Sequence, residues 1–364
     1  MSPGAAAELM EAFWLYGDVQ SVRPIGSGHI HGTWAVEMDQ AGVSVRYILQ
    51  QVNTQVFQDP DMLARNLTTV LDWQQHQYRA AGTANMSRRC LTLIHTRRGG
   101  TYHTDAAGFV WRVFLLIEHT YTLDRADTPA QAYAAARAFG QFGASLAELP
   151  PDRLGLTLPG FHDLSLRIAQ LRTAAAGAGA ERQVAAARAL EQARYWEQRA
   201  TAWIEAAEAL PWRICHNDTK INNVLLDRTT GEGVCVIDLD TVMPGRLLYD
   251  FGDLVRTAAP TADEDATELD TLHVRAEICE ALYRGFVADT QAMMTQAEQE
   301  SLVLGPYWMA CIMAFRFLAD FLRGDTYYKV RHSRHNLDRA LNQFRILECL
   351  DQMDIAGTLS RSTA

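Results

Sequence analysis

The sequence predicts an α+β chain, a small antiparallel sheet with one helix followed by a larger, mainly helical part. Up to about residue 119, apolar and polar residues alternate in short runs, which is the period of half-buried strands. From Thr128 onward apolar residues recur every three or four positions, the period of amphipathic helices. Within the helical part, Trp212–Arg256 breaks that pattern. It sets His216, Asn217, Asp218, Lys220, Asn223 and several further aspartates at the ends of brief apolar runs.

In chain order, residues 6–16 read as a short amphipathic helix. Val19–Ile25, Thr33–Met38 and Val43–Gln51 read as strands, and the turn Asp39–Gly42 joins the last two. Asp59-Pro60 opens a helix, with Asp as N-cap and Pro at the first helical position. Met62, Leu63, Asn66, Leu67, Val70 and Leu71 mark its inner face. Leu91–Thr96 and Phe109–Glu118 supply two more strands, so a first lobe spans 1–119 and a second 120–364. Thr128-Pro129 caps a helix to about Leu149, which Pro150-Pro151 ends. Helices follow over Phe161–Thr173, Glu181–Leu210 and about 263–290, 295–322 and 335–355. Inside the opening stretch of polar residues, Ile214–Cys215, Val224–Leu226 and Val234–Ile237 read as short strands.

The 364 residues give room for two lobes with cores of their own. A net charge of −10 argues against a nucleic-acid or acidic-membrane partner. The six cysteines are scattered through apolar runs with no C-x-x-C spacing, so buried free thiols are expected rather than a zinc site or disulfides. No charged start followed by a long apolar run opens the chain, and its longest apolar runs are too short to span a bilayer. The expectation is a cytoplasmic monomer. Lysine occurs only at Lys220 and Lys329, so any chemistry that needs a lysine falls on Lys220 or passes to an arginine.

His216-Asn217-Asp218-Thr219-Lys220-Ile221-Asn222-Asn223 fits the spacing H-x-D-x-x-x-x-N of a phosphotransfer loop. Asp218 would orient the attacking hydroxyl and take its proton, the amide oxygen of Asn223 would ligate Mg²⁺, and His216 would brace the loop. Lys220 would reach the transferring phosphate as a point charge. Alone, such a spacing is an ordinary capped turn. It is followed by Asp238 at the end of an apolar strand, placed to be a second Mg²⁺ ligand, while Asp240 reads as an assisting acid or a turn cap. Asp250 and Asp253 read as structural, capping a helix and bonding back to the loop.

The paired motifs HNDTKINN and VIDLDTVMPGRLLYDFGD resemble the aminoglycoside phosphotransferase/choline kinase superfamily. IGSGHIHGTW, YILQQVNTQVFQDPDML, LPGFHDL and RFLADFLRGDTYY narrow the resemblance to the N-acetylhexosamine 1-kinases, so it runs from about residue 20 to 345. It implies a protein-kinase-like two-lobed fold, ATP and Mg²⁺. It also implies transfer of the γ-phosphate to the anomeric hydroxyl of N-acetylglucosamine or N-acetylgalactosamine. Gly26, Ser27 and Gly28 would then cover the nucleotide phosphates with backbone N–H groups. The third strand departs from the pattern, because the lysine that meets the α/β-phosphates is replaced by Gln50. Arg46, Gln50 or the loop backbone would do that work. The gap also leaves room for a nucleotide- or sugar-binding pseudokinase, or for a kinase of another sugar, an aminoglycoside or an amino alcohol. Backbone groups over Leu116–Glu118 would meet the adenine edge. Arg316 and Asp320, four apart on one helix, form either an ion pair or part of a sugar site. The resemblance tips Arg316 toward the sugar, with Tyr327 stacking on its ring and His31 and the Phe161-His162-Asp163 segment as further candidates.

Overall fold

The computed structural model describes residues 1–25 and 30–361, the side chains of residues 360 and 361 excepted. Helix α1 (Pro3–Met10) precedes strands β1 (Asp18–Pro24), β2 (Gly32–Gln40) and β3 (Val43–Val52). Helix α2 (Pro60–Ala80) and the single turn α3 (Met86–Arg89) lead into β4 (Leu93–Ile94), β5 (His103–Thr104) and β6 (Val110–Leu115). These strands make one antiparallel sheet ordered β1-β2-β3-β6-β4, with β5 also on β6. The alternation read from the sequence sends Val36, Met38, Tyr47, Leu49, Trp111 and Val113 to one face, where Ala6, Met10 and Phe13 cover them. Asp59 caps α2 by accepting the Met62 N–H at 2.8 Å, as its Asp-Pro start predicts. Leu63, Asn66, Leu67, Val70 and Leu71 are buried on its inner face, and Leu67, Val70 and Leu71 join the core of the helical part.

The rest is helical apart from short strands. After β7 (Thr120–Tyr121) come α4 (Pro129–Ser145), α5 (Leu164–Gly177), α6 (Ala180–Ala185) and α7 (Ala187–Glu208). The strands β8 (Arg213–Cys215), β9 (Val224–Asp227), β10 (Gly233–Val236) and β11 (Met243–Gly245) follow. Helices α8 (Leu247–Ala258), α9 (Ala276–Thr290), α10 (Gln296–Ser301), α11 (Gly305–Arg323), α12 (His335–Met353) and α13 (Ile355–Arg361) complete the chain. The expected α+β architecture is what the protein adopts. Several helices differ from the reading: α1 ends at Met10, and the turn Leu302–Leu304 separates α10 from α11. The Ala-rich run over 181–210 breaks at Ala186, which is fully buried, and an Ala-rich sequence carries no local signal for that break. Residues 263–275 are not an α-helix, because Pro260 pairs with Val274 and closes the segment as a loop.

Glycine sets two helix crossings. A Cβ at Gly252 on α8 would stand 2.1 Å from the Gly305 carbonyl oxygen on α11, and one at Gly140 on α4 would stand 2.6 Å from that of Phe286 on α9. These helices touch backbone to backbone, so Gly252 of the Asp250-Phe251-Gly252-Asp253 segment is fixed by packing. The run Gln296–Arg323 is long and apolar enough to cross a membrane by composition, but it lies mostly buried among neighbouring helices.

Candidate active site

The loop between β8 and β9 is shaped by one buried carboxylate. Asp250, in the first turn of α8, accepts the N–H groups of His216 at 2.8 Å and Asn217 at 2.7 Å, while Thr219 Oγ donates to its carbonyl at 2.5 Å. Burial pushes the Asp250 carboxyl up to about 6, against the His216 ring and the two N–H bonds that favour its ionised form. Of the two structural roles expected for it, bonding back to the loop is the one observed; α8 is capped at Arg246 with no side-chain bond. Asp253 pairs with Arg256 at 2.7 Å inside the same helix. Asn217 sits at φ 62°, a conformation that asparagine tolerates. Its side-chain amide donates to the carbonyls of Cys215, Thr241 and Met243. His216 lies edge-on to Phe139 and Phe142; its Nδ1 accepts the Asp218 N–H at 3.3 Å and its Nε2 donates to the Ile237 carbonyl at 3.0 Å. It braces the loop as expected.

The oxygens that this brace positions lie together. Asn223 Nδ2 donates to the Asp218 carbonyl at 2.9 Å and to its carboxylate at 3.3 Å, which turns the amide oxygen the other way. The Asn223 carbonyl accepts the Ile237 N–H at 2.9 Å, so Asn223 and Asp238 are held one residue apart across the β9–β10 hairpin. Asp238 has φ 60° and is half-buried. Burial first, then the neighbouring Asp240 and Asp218 carboxylates, push its carboxyl up to about 6. An oxygen-only donor set with crowded negative charge suits a hard divalent cation such as Mg²⁺. Lys220 is open to solvent within the same cleft, and Asp218 raises its pKa.

Asp240 is committed elsewhere. Both of its oxygens take the Arg112 guanidinium at 2.6 Å, and one also meets His31 Nε2 at 2.6 Å. Burial pushes its carboxyl up, but the charge and bonds of Arg112 and His31 outweigh this and hold it well below the carboxylate range. His31 Nδ1 accepts the Asn53 N–H at 3.1 Å, which leaves the proton on Nε2, facing Asp240. The His31, Asp238 and Asp240 ligand atoms lie within 4.8 Å of one another, yet only Asp238 keeps its oxygens for a cation. Arg112 also bonds Gln50 Oε1 through Nε at 2.8 Å and Nη2 at 2.5 Å, because Gln50 and Arg112 are partners across β3 and β6. The cation missing from the third strand is thus present one strand over. Reasoning from the sequence missed it; its signal was a charged residue inside the apolar run of β6.

Where the adenine was expected, the chain has specific groups left. Arg46 is ion-paired to the Glu118 carboxylate, so it does not reach phosphates. The Glu118 carbonyl accepts from Arg88, the Ile117 carbonyl from Thr120 and the Arg46 carbonyl from the Leu116 N–H. Among the described hydrogen bonds none uses the Leu116 carbonyl or the Glu118 N–H, which lie two residues apart as an adenine edge requires. Gly26, Ser27 and Gly28 lie outside the described residues.

A cavity of about 610 Å³ opens beside this cleft, between the start of α2, the segment 156–161 and the ends of α5 and α11. None of Asp218, Asn223 or Asp238 lines it. It borders the site through Phe57, which stacks on His31, and Thr157, which donates to the Asp240 carbonyl at 2.9 Å. Arg316 and Tyr327 both line it. Arg316 does not pair with Asp320. That carboxylate instead collects the N–H groups of Thr326, Tyr327 and Tyr328 and the Asn336 amide, all at 2.9–3.0 Å, and so pins the loop after α11. His31 borders the cavity through Phe57 with both ring nitrogens engaged inside the protein. His162 is buried, bonds the Asn217 carbonyl at 2.8 Å and supports the loop.

Over residues 21–286 the sequence matches the profile of the Phosphotransferase enzyme family. The fold is similar to that of an aminoglycoside phosphotransferase from Alicyclobacillus acidocaldarius, with a TM-score of 0.63, 15% identity and coverage of 98% of this chain and 96% of that one. It is also similar to a choline kinase from Cryptosporidium parvum (TM-score 0.55, 13% identity, 94% and 93% covered). A third similar structure is a GDP complex of aminoglycoside 2'-phosphotransferase-IIIa (TM-score 0.56, 10% identity, 94% and 99% covered). At these identities the likeness is one of fold, that of the protein-kinase-like phosphotransferases.

Proposed function

The chain belongs to the phosphotransferase enzyme family, and on that premise we propose that it is an ATP-dependent sugar kinase that phosphorylates the anomeric hydroxyl of an N-acetylhexosamine. The observation that carries the reaction class is the meeting of Asp218, Asn223 and Asp238 at one cleft, tied together by the Asn223 amide and carbonyl. Asp218 orients the acceptor hydroxyl and receives its proton. The freed oxygen bonds the γ-phosphorus as the β,γ-bridging bond breaks, and ADP leaves. Lys220 lies beside Asp218 to offset charge on the group in transfer. The Asn223 amide oxygen and the Asp238 carboxylate would hold Mg²⁺, which when bound neutralises the nucleotide phosphates. Residues 1–119 form the lobe over the nucleotide, with the Leu116 carbonyl and Glu118 N–H toward adenine, and 120–364 carry the loop and acceptor site. The structural relatives act on small acceptors or, in one case, hold a guanine nucleotide, which supports a nucleotide donor here.

The choice of an N-acetylhexosamine rests on the quoted segments shared with that kinase group, together with the cavity bearing Arg316 and Tyr327. One observation favours a pseudokinase instead: Arg112, the cation nearest the empty lysine position, is neutralised by Asp240. A screen of ADP release with Mg²⁺ and ATP separates the readings. N-acetylglucosamine, N-acetylgalactosamine and their acid-bearing derivatives, neutral hexoses, an aminoglycoside and choline serve as acceptors. Turnover confined to hexosamines supports the proposal. Turnover of only the aminoglycoside or choline rejects the sugar, and binding without any turnover favours the pseudokinase.

A further inference from the structure

The cavity next to the catalytic loop carries two arginines, Arg167 and Arg316, that no carboxylate among the described residues pairs with. Arg316 on α11 presses against the rings of Phe161, Tyr328 and Tyr327, with its guanidinium carbon 5.2, 5.5 and 5.9 Å from their centres. Its one polar contact among the described hydrogen bonds is the Met313 sulfur at 3.7 Å. Arg167 on α5 gives its terminal nitrogens to the Gly160 and Phe161 carbonyls at 2.9 Å and to Gln170 at 2.8 Å, while its Nε is buried with no partner. Among the described residues neither arginine makes an ion pair. Asp320 is held by the N–H groups of the loop after α11, and Asp59 caps the start of α2 through one oxygen. The two arginines flank Phe161, one on its ring and the other on its carbonyl. Burial and the charge of Arg316 together pull the Arg167 pKa down to about 10, the mark of two cations that share one poorly solvated space. The Tyr328 hydroxyl, also on the cavity wall, is buried without a partner.

Charged groups held this way cost free energy until an opposite charge arrives, and neutral hydroxyls do not supply one. Arginine forks match carboxylate and phosphate oxygens in geometry. The same field repels a cationic aminoglycoside or amino alcohol. We infer that the acceptor carries an anionic group, a carboxylate or a phosphate, away from its reacting hydroxyl and held between Arg167 and Arg316, so that the preferred substrate class is an acidic amino sugar. This rests on the reading that the cavity receives the acceptor of the proposed kinase. Arg167 then acts as a specificity residue; it stands apart from the reacting atoms.

The test compares sugars that differ in charge and little in shape. N-acetylmuramic acid, which bears a lactyl carboxylate, is paired with its methyl ester, and N-acetylglucosamine 6-phosphate with the 6-O-methyl sugar. Wild type is expected to favour an acidic member in kcat/KM by roughly tenfold to a hundredfold, the worth of one charge-assisted hydrogen bond. Whichever pair shows the preference tells carboxylate from phosphate. Arg167→Gln and Arg316→Gln, each checked by thermal melting, should cut the ratio to within about threefold, while Arg167→Lys keeps part of it. Equal or reversed ratios in wild type overturn the inference and leave the kinase reading standing, as does turnover of N-acetylglucosamine with no turnover of any acid. If no sugar is turned over, the kinase reading fails, and calorimetric binding of the same pairs to wild type decides. Tighter binding of an acid, lost in Arg316→Gln, upholds the anion site, and equal binding rejects it.

Discussion

Removing the Arg112 guanidinium, as in Arg112→Met, should loosen the sheet from the helical part. Arg112 stands on β6 and Asp240 follows β10, so their two bonds of 2.6 Å cross from the sheet to the helical part, and His31 makes a third contact from the start of β2. The pair is almost fully enclosed, Arg112 being 5% exposed and Asp240 2%. Deleting one member of such a pair leaves an uncompensated buried charge, at a cost of about 3–5 kcal/mol. A loss near 3 kcal/mol, about the low end of that range, is expected at pH 7 because the His31 contact to Asp240 remains. The pH sign follows from Asp240. Arg112 holds its folded pKa below the unfolded value, so the contribution is full above about pH 4 and is lost only as pH falls through the depressed folded value. In the variant the carboxyl can protonate at a higher pH, so the deficit against wild type narrows on acidification. Urea unfolding followed by fluorescence, with Trp34 and Trp111 as sheet reporters, measures this at pH 7 and pH 5. Asp240→Asn added to Arg112→Met should restore at least half of the loss, a coupling that a double-mutant cycle isolates. A single-variant loss under about 1 kcal/mol, or strictly additive effects, would refute the reasoning.

Three further outcomes are expected. Lys220→Ala should lower turnover about a hundredfold while melting and nucleotide binding stay near wild type, and a loss under threefold in ADP release would shift the phosphate contact to an arginine. Burial holds His162 near a pKa of about 4, below its unfolded value, so the folded state should lose stability as pH falls from about 6.5 toward 4, by up to about 3 kcal/mol. His162→Gln, which can still donate to the Asn217 carbonyl, should flatten that slope in denaturation at pH 7 and 4.5; an unchanged slope assigns it to other groups. Gly252→Ala should destabilise by at least 1–3 kcal/mol, the range for overpacking, because its methyl group would meet the Gly305 carbonyl; an unshifted melt would mean that α8 and α11 separate freely.

What was legible in the sequence is what local spacing encodes. The spacing of His216, Asp218 and Asn223, the hairpin that places Asp238 and the Asp59-Pro60 helix start are local patterns, although the loop itself is braced from farther away by Asp250 and His162. The network around Asp240 does not. Gln50 and Arg112 meet through strand register, and Asp240 reaches Arg112 across 128 positions of sequence. Helical spacing alone left an ion pair and a sugar site both open at Arg316 and Asp320. Four residues apart they share a face, but the N–H groups of Thr326, Tyr327 and Tyr328 compete for the carboxylate and take it. The charge left on Arg316, and with it the character of the cavity, follows from that competition, which only the folded chain displays.

The central claim, phosphate transfer from ATP to an anomeric oxygen oriented by Asp218, is tested most directly by phosphorus–proton correlation NMR of the product. Wild type is incubated with ATP, Mg²⁺ and whichever hexosamine gives the highest ADP release, beside folded Asp218→Asn. The expected spectrum couples the new phosphorus to the anomeric proton in the wild-type reaction and shows no such signal with Asp218→Asn. Coupling to any other ring proton, or equal product from both proteins, would contradict it.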